Sequence, residues 1–328
     1  MPKIFEGQVR FGIHAGPQHT TYADYMSLWK TVEDLGYDWA SVFDHFVPIQ
    51  TDPEGPCFEG LTLLSALAAQ TTKIRCGILV VGNTYRHPAV LANIAATIDH
   101  VSNGRLELGV GAGWWEMEHE EYGIPLPPIG RRIRMMSEAL PILKGLWTNQ
   151  RTTFEGRYYQ LTDALCEPKP VQSPHIPLWV GGAGEQLTLK AVAEHADGWN
   201  TFFMPLDAYA HKLEVLAAHC ARVGRQPESI RKQLVMQAVV SKDAQRIDDQ
   251  MQTLVRARGG NAEAIRQRLV MGTPEQCVEQ LLPYIEAGVD DFLIGCRVPY
   301  DFETLEVFAA EVAPVLRERA PEYLARRN

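Results

Sequence analysis

The sequence predicts a single TIM-type (β/α)₈ barrel, an α/β fold, with insertions. Eight short apolar runs alternate with longer segments of helical periodicity along the 328 residues. Several runs, such as GILVVG and LVMQAVV, are continuously apolar, which is typical of parallel strands covered on both faces. An open doubly wound sheet usually has fewer strands and one early glycine fingerprint. Because a barrel takes about 250 residues or more, we expect one domain over 1–328.

The strands are assigned to the apolar runs in chain order. In the first half of the chain they are Val9–Ala15, Trp39–His45, Ile74–Gly82 and Arg105–Gly111. In the second half they are Pro177–Gly182, Gly198–Phe203, Gln233–Val240 and Asp291–Cys296. This count supplies the one strand per βα unit that a closed eight-stranded barrel requires.

Helices are predicted between the strands, where apolar residues recur at three- and four-residue spacing. The segments are Tyr22–Leu35, His87–Val101, Arg131–Trp147, Glu185–His195 and Ala208–Val223. A further helix starts at Thr273-Pro274-Glu275, where the threonine can cap, proline suits the first helical position and glutamate faces the positive helix end. Ala287-Gly288 is a typical end for that helix.

Two segments do not fit a plain barrel. Residues 150–172 resemble a short hairpin with a Glu-Gly turn. Residues 242–272 are polar, helical and too long for a standard connection. We interpret both as insertions, because neither is large enough to bury a core of its own.

Composition and charge exclude several classes of protein. The net charge of −9 disfavours nucleic acid and anionic membranes as partners. The six cysteines form no C-x-x-C pair, and Cys76 and Cys296 lie in apolar runs typical of buried reduced thiols. No signal-peptide pattern or transmembrane-length apolar run is present. We therefore expect a cytoplasmic protein.

The active site of a TIM barrel lies at the C-terminal ends of its strands. Strand 1 ends at His14, and strand 2 ends at Asp44-His45, a carboxylate next to an imidazole. Because histidine can exchange a proton near neutral pH, we favour a catalytic pair. A surface pair, or an aspartate that caps the next loop, is the alternative.

Glycine-rich segments follow strands 4 and 5. Gly181-Gly182-Ala183-Gly184 precedes a predicted helix, so its backbone N–H groups could bind a phosphate; a tight turn is the alternative. Gly109-x-Gly111-x-Gly113 lacks the third glycine of a dinucleotide fingerprint at the required offset. It indicates either a flat ligand close to the backbone or a turn at the rim.

The segment after Gly113 is rich in aromatic and acidic residues. Trp114-Trp115 could wall an aromatic ligand or simply cover the rim. Metal ligands are a possible interpretation of the charged residues that follow, but the spacing lacks H-E-x-x-H and a solvated helix face fits better. We therefore predict no metal site from Glu116, Glu118, His119, Glu120 and Glu121.

Six stretches together resemble the luciferase-like monooxygenase superfamily, in its coenzyme F-420-dependent oxidoreductase branch. They extend over most of the chain in family order: SVFDHF (41–46), NTYRHPAVLANIAATIDHVSNGRLELGVGAGW (83–114), RRIRMMSEALPILKGLW (131–147), TTFEGRYYQL (152–161), PHIPLWVGGAGEQLTLKAVAEHADGWN (174–200) and GTPEQCVEQLLPYIEAGVDDFLIG (272–295). The motifs are specific for the superfamily, less so for the cofactor, and hardly at all for the substrate.

The resemblance implies a TIM barrel, a homodimer and bound coenzyme F-420 (8-hydroxy-5-deazaflavin). It also implies a non-prolyl cis peptide at Leu79–Val80 against the deazaflavin, the cofactor phosphate on the 181–184 loop, and Asp44-His45 beside the reactive ring. The cofactor-binding set that the resemblance, together with the strand ends, implies is Asp44, Leu79, Val80, Asn83, Gly111, Gly113, Gly181, Gly182, Ala183 and Gly184. Related sugar-phosphate dehydrogenases carry a glutamate where Trp114 stands. A more hydrophobic or aromatic substrate is therefore expected.

The resulting hypothesis is hydride transfer between C5 of F-420 and a small organic substrate. His45 would exchange the accompanying proton, and Asp44 would hold the cofactor ring or the imidazole by hydrogen bonding. Two alternatives stay open: an FMN-dependent monooxygenase of the same superfamily, and a noncatalytic barrel that only binds a flavin.

Overall fold

Eight parallel strands close on themselves in the computed structural model, which describes residues 8–258 and 261–325. The strands in chain order are β1 (Arg10–Ala15), β2 (Trp39–Val42), β3 (Arg75–Gly82), β4 (Leu106–Gly111), β5 (Thr152–Glu155), β6 (Gln160–Ala164), β7 (Leu178–Gly181), β8 (Gly198–Phe202), β9 (Arg231–Met236), β10 (Ala238–Val240), β11 (Val270–Gly272) and β12 (Asp291–Cys296). The barrel order is β1-β2-β3-β4-β7-β8-β9-β12, closed by pairing of β12 with β1. The predicted TIM barrel is confirmed. Of the expected 1–328 domain, residues 1–7, 259–260 and 326–328 lie outside the described residues.

Helices surround the barrel. They are α1 (Tyr22–Asp34), α2 (Gly60–Gln70), α3 (Pro88–Val101), α4 (Glu116–Glu121), α5 (Ile129–Thr148), α6 (Thr188–His195), α7 (Leu206–Arg222), α8 (Ala244–Arg258), α9 (Ala262–Arg266), α10 (Pro274–Ala287), α11 (Phe302–Val307) and α12 (Ala313–Ala325). A 3₁₀ turn covers Pro227–Ser229, and a π turn at Phe308–Val312 joins α11 to α12. The sequence prediction did not include α2, α4, α11 or α12.

Capping explains where two of these helices begin and end. The Thr273 side chain accepts from the Gln276 N–H in a capping box at the start of α10, and Gly288 ends that helix at φ 105°. Both sequence predictions for this helix are confirmed. The start of α2 was missed because its cap is Glu59, whose carboxylate accepts from the N–H groups of Leu61 and Thr62. Glutamate is not among the residue types favoured at that position.

Two predicted strands end earlier than the sequence indicated. The run Gln233–Val240 is divided, because β9 ends at Met236 and the next three-residue strand, β10, leaves the barrel to pair with β11. An apolar run cannot show from periodicity where it passes from one sheet to another. Likewise β2 ends at Val42, so Asp44 and His45 lie in the loop after the strand. β9 also starts two residues before the predicted strand, and the remaining strand boundaries agree to within one residue.

The two insertions have distinct structures. Residues 150–172 contain the predicted hairpin, in which β5 and β6 pair antiparallel and the turn starts at Gly156. Residues 242–272 contain helices α8 and α9, but they end in a strand that the sequence prediction lacked. Contrary to the prediction, this insertion has a small buried cluster, made of Ile247, Met251, Ile265, Leu269 and Met271.

The N-terminal end of the barrel is filled by charged side chains. Arg10 binds Glu107 and Asp291, at 2.6 Å each. Arg75 pairs with Glu107 and Arg231 pairs with Asp291. The rings of Trp39 and Trp179 pack together above this network, 5.6 Å apart, and Trp179 donates its indole N–H to Glu107. A ligand must therefore enter from the opposite end, where the strands terminate.

Three further features concern membrane spans, cysteines and metal ligands in the described residues. The described part contains no helix that is long and apolar enough to span a bilayer. All six cysteines are free thiols; Cys76 is buried as expected, whereas Cys296 is half-buried. Within the described ranges, no group of three or more His, Cys, Asp or Glu side chains is arranged to hold a metal ion.

Candidate active site

The open end of the barrel, where the strands terminate, is called the mouth below, and Val80 forms its floor. The peptide bond between Leu79 and Val80 is cis, and the pairing of β3 with β4 shifts register between Ile78 and Val81. The methyl groups of Val80 fill the space beside three glycines on neighbouring strands. A Cβ at Gly109, Gly111 or Gly181 would lie only 2.9, 2.5 or 2.7 Å from them. Leu79, Val80, Gly111 and Gly181 of the expected set therefore meet at one place.

His45 is fixed beside this floor by a buried carboxylate. Its Nδ1 lies 2.8 Å from Oε2 of Glu118, which is fully buried. Glu118 also accepts from the Tyr85 hydroxyl and from the N–H groups of Phe46 and Val47. Burial raises the pKa of Glu118, but the hydrogen bonds from His45, Tyr85 and the Phe46 N–H have the larger, opposite effect. The pKa of Glu118 therefore lies below its ordinary value. Because an ionised carboxylate only accepts, Nδ1 carries a proton and Nε2 is left for a ligand.

This network corrects the interpretation of the acidic segment. Glu118 and His119 are buried, whereas Glu116, Glu120 and Glu121 are exposed as predicted. His119 bonds through its ring nitrogens to the Thr84 hydroxyl, at 2.8 Å, and to the Trp115 carbonyl, at 2.7 Å. The six-residue helix α4 contains four glutamates, so its composition does not reveal that Glu118 and His119 are the buried ones.

Asp44 has a different partner from the one expected. Its carboxylate accepts two bonds from the Arg86 guanidinium, at 2.7 and 2.9 Å, and one from the Gly82 N–H at 3.0 Å. Burial raises the pKa of Asp44, and the Arg86 bonds oppose that rise. The expected bond from Asp44 to the imidazole of His45 is wrong, because Glu118 occupies that position. A contact between Asp44 and a cofactor ring stays a prediction.

Asn83 and Gly113 shape the wall between β3 and β4. The side-chain amide of Asn83 donates to the Tyr159 hydroxyl at 3.0 Å, and its backbone N–H donates to the Gly111 carbonyl. Tyr159 comes from the hairpin, so this insertion contributes to the site. Gly113 has φ +78°, a conformation that L side chains rarely adopt, and it lies against Thr84.

The 181–184 loop is more separated from its helix than the sequence predicted. Helix α6 begins at Thr188 rather than Glu185, because residues 185–187 form a turn. Gly182 has φ +125° and donates its N–H to the Asn200 carbonyl. In the described part of the chain the N–H groups of Ala183 and Gly184 have no hydrogen-bond partner. The loop therefore presents two backbone donors next to the floor at Gly181.

His14 is a second imidazole at the mouth. Its Nδ1 lies 2.9 Å from the Ser41 hydroxyl, and that hydroxyl donates its own proton to the Ile13 carbonyl at 3.1 Å. Burial, followed by the nearby charge of His45, lowers the pKa of His14 to about 4. The sequence placed His14 at a strand end and assigned it no role.

Aromatic rings enclose His45. The Phe43 and Trp114 rings meet it edge to face, with centroids 5.1 and 5.7 Å away. Trp114 also packs on Trp115, at 4.8 Å, and remains about half exposed. A tryptophan in this position both walls the mouth and shields the imidazole from water.

Comparison with known proteins agrees with this geometry. The sequence model of the luciferase-like monooxygenase family matches residues 7–291. The chain belongs to this family. An uncharacterized protein of Mycobacterium tuberculosis is 40% identical over 138 residues, which are 42% of this chain and 48% of that protein. The chain thus matches about half the length of that relative.

Two further proteins match this family member along nearly their whole length. An F-420-dependent glucose-6-phosphate dehydrogenase of Nocardia farcinica is 27% identical over 341 residues, covering 96% of this chain and 100% of that protein. An F-420-dependent secondary alcohol dehydrogenase, solved with an F-420–acetone adduct, superposes with a TM-score of 0.82 at 20% identity, covering 94% and 99% of the two chains. At that identity, the second match shows the shared fold.

Proposed function

We propose that this luciferase-like family member is an F-420-dependent oxidoreductase that transfers hydride between C5 of the deazaflavin and a small organic substrate. The observation that carries the proposal is the juxtaposition of three features at the mouth. The first is the floor, where Val80 packs against Gly109, Gly111 and Gly181. The second is the 181–184 loop, with two unpaired backbone N–H groups among the described residues, and the third is the imidazole of His45, with Nε2 left for a ligand. The full-length relative named as F-420-dependent supports the choice of cofactor.

The residues present fit a flat ring with an anionic tail. Glycines on two strands leave room for Val80 at the floor, where a flat ring would lie against it. Any larger residue at 109, 111 or 181 would displace the Val80 side chain. The N–H groups of Ala183 and Gly184 are suited to a phosphate, since backbone donors bind anions without a charged side chain. We propose that the remaining expected contacts, at Asp44, Asn83 and Gly113, line the edge of the same ring.

F-420, when bound, supplies the carbon that gives or takes the hydride. The chain supplies position, a dry surface and a route for the proton. Val80 would set the height of the ring, and Trp114 would exclude water from the reacting side. Nε2 of His45 would exchange a proton with the substrate oxygen, while Glu118 holds the imidazole through Nδ1. Asp44, besides lining the ring edge, would hold the segments after β2 and β3 together through its bonds to Arg86 and to the Gly82 N–H.

Cofactor titration tests this proposal. The purified protein is titrated separately with F-420 and with FMN, and each titration is followed by absorbance, because the two chromophores absorb differently. We expect F-420 to bind and to exchange hydride with an alcohol or carbonyl substrate. Binding of FMN with oxygen uptake would support the monooxygenase alternative instead. Tight binding without hydride exchange to any acceptor would support a noncatalytic barrel.

We also propose that the protein is a homodimer, on the basis of the family resemblance. Light scattering coupled to gel filtration should give twice the 36.7 kDa of one chain. The mass of a single chain would refute this proposal without affecting the proposed chemistry.

A further inference from the structure

We propose that His14 and His45 divide two tasks at the mouth: His45 exchanges the proton of the reacting oxygen, and His14 accepts a hydrogen bond from a second hydroxyl of the substrate. The inference rests on the proposed function and names its substrate class, an uncharged alcohol or carbonyl compound that carries a further hydroxyl group.

The tautomer of His14 follows from its partner. A serine hydroxyl has one proton, and we assign that of Ser41 to the Ile13 carbonyl, 3.1 Å from the hydroxyl oxygen. The hydroxyl oxygen can then only accept from Nδ1 of His14, 2.9 Å away. The proton of a neutral His14 therefore lies on Nδ1, and Nε2 has a free lone pair. No described residue bonds to this Nε2.

The hydrogen-bond partner of His45 is a carboxylate, whereas that of His14 is a neutral hydroxyl. Glu118 is a fully buried carboxylate, 2.8 Å from Nδ1, so it accepts the Nδ1 proton of His45 and holds the ring with a charged partner. Ser41 offers His14 a neutral hydroxyl only. The charge of His45 further disfavours a proton on His14, whose pKa falls to about 4, first through burial and then through that charge. Environments that separate two titratable groups in this way assign them different roles.

The second donor belongs to the substrate for a simple reason of valence. A reacting alcohol has one O–H proton, and His45 accepts it. A second acceptor at the same mouth needs another donor. A hydroxyl supplies one without bringing a charge into a buried position, whereas an ionised phosphate has no proton to donate. The nearby Arg86 guanidinium is held by Asp44 and Glu59, so it does not offer a phosphate a charge. Phe43, with its centroid 6.5 Å from His14 and 5.1 Å from His45, places an apolar surface between the two imidazoles.

Nitrogen NMR of histidine-labelled protein tests the pair without requiring turnover. The spectra are recorded from pH 5.5 to 8.5, with and without F-420, and His14→Gln and His45→Gln variants assign the signals. We expect His14 to stay neutral throughout, with its proton on Nδ1. The Ser41→Ala variant should weaken that tautomer preference, whereas the matched Ser65→Ala variant on α2 should not. A His14 that titrates in this range, or carries its proton on Nε2, would overturn the proposal.

Two small alcohols then test the substrate class in the same spectra. We expect 1,2-propanediol to move the Nε2 signal of His14 substantially and 2-propanol to move it little. Equal responses, or no response to the diol, would refute the hydroxyl assignment. Where F-420 turnover is also measured, the diol should be preferred by about fivefold in kcat/KM, the worth of one neutral hydrogen bond. The His14→Phe variant should lose that preference. Failure of F-420 to bind would reject the proposed function, but it would leave the tautomer result standing.

Discussion

Two histidines of the mouth show how one residue type acquires different chemistry from its immediate partner. The Nδ1 of His45 lies against a carboxylate, whereas that of His14 lies against a hydroxyl. The first partner is a charged acceptor, and the second is a neutral hydroxyl. Neither partner is adjacent in sequence, since Glu118 is 73 residues from His45 and Ser41 is 27 residues from His14. Side-chain identity at the strand ends therefore defines candidates, and tertiary contacts assign their roles.

Removal of the His45 imidazole should affect turnover far more than cofactor affinity. We expect His45→Ala to lower kcat by about 10²–10⁴-fold, the usual contribution of a general acid or base. The dissociation constant for F-420 should change little, because the floor and the 181–184 loop are intact. Steady-state kinetics and an absorbance titration measure the two quantities. His100→Ala, on the exposed face of α3, is the control. Turnover equal to wild type would remove His45 from the mechanism.

The sequence identified part of the site and missed its supports. His45, Val80, Gly111 and the 181–184 loop follow from the strand-end rule or from the family resemblance, and the structure brings them to one mouth. Glu118 was not found, because it is one of four glutamates in a six-residue helix and nothing in the spacing distinguishes it. The pairing of Asp44 with Arg86 was also missed. Asp44 is adjacent to His45 in sequence and was therefore the expected partner of the imidazole, whereas Glu118 reaches it only through the tertiary fold.

At the scale of elements, the barrel strands were predictable and their connections less so. A strand buried on both faces has a continuous apolar signature, and the last strand, β12, matches its prediction at both ends. The boundary between β9 and β10 could not be predicted from the sequence, because both strands belong to one apolar run and differ only in the sheet they join. Similarly α6 starts three residues late, since a turn after Gly184 precedes the first helical hydrogen bond.

The close fit of β3 against β4 should be sensitive to a single methyl group. A Cβ at Gly109 would lie 2.7 Å from the Ile78 carbonyl oxygen and 2.9 Å from a Val80 methyl group. Since a backbone atom cannot move away cheaply, Gly109→Ala should lower the free energy of unfolding by about 1–3 kcal/mol. Gly295→Ala is the matched control, because its nearest atom would be 3.4 Å away. The control should be neutral or stabilising by up to about 1 kcal/mol. Equal stability of the two variants, measured by urea unfolding, would contradict this account of the floor.

The molecule as a whole is a barrel with one closed and one open end. Charged side chains on the first residues of β1, β3, β9 and β12 pair with Glu107 or with each other. Two tryptophans pack above them. His14, His45 and the glycines Gly109, Gly111 and Gly181 lie at the other end, at the mouth. The division explains why a buried ion network and a ligand site can share one barrel interior.

Loss of one carboxylate from the closed end should destabilise the whole fold. Glu107→Gln removes the buried carboxylate that Arg10 and Arg75 share, and only Asp291 then remains to balance the charge of Arg10. We therefore expect about 3–5 kcal/mol less stability at pH 7. Glu279→Gln, which removes an exposed partner of Arg319, should change stability by less than about 0.5 kcal/mol. Urea unfolding monitored by fluorescence measures both variants against the wild type.

The same variant should show a defined pH dependence. Burial raises the pKa of Glu107, but the charges of Arg10 and Arg75 outweigh it and bring the value to about 2, below the ordinary 4.5. A depressed folded-state pKa stabilises the protein above the unfolded value, and this contribution is lost as the pH falls from about 4.5 toward 2. Glutamine does not titrate, so the stability gap between wild type and Glu107→Gln should be full at pH 7 and smaller at pH 3.5. A gap that widens on acidification would show that Glu107 is not held ionised by the two arginines.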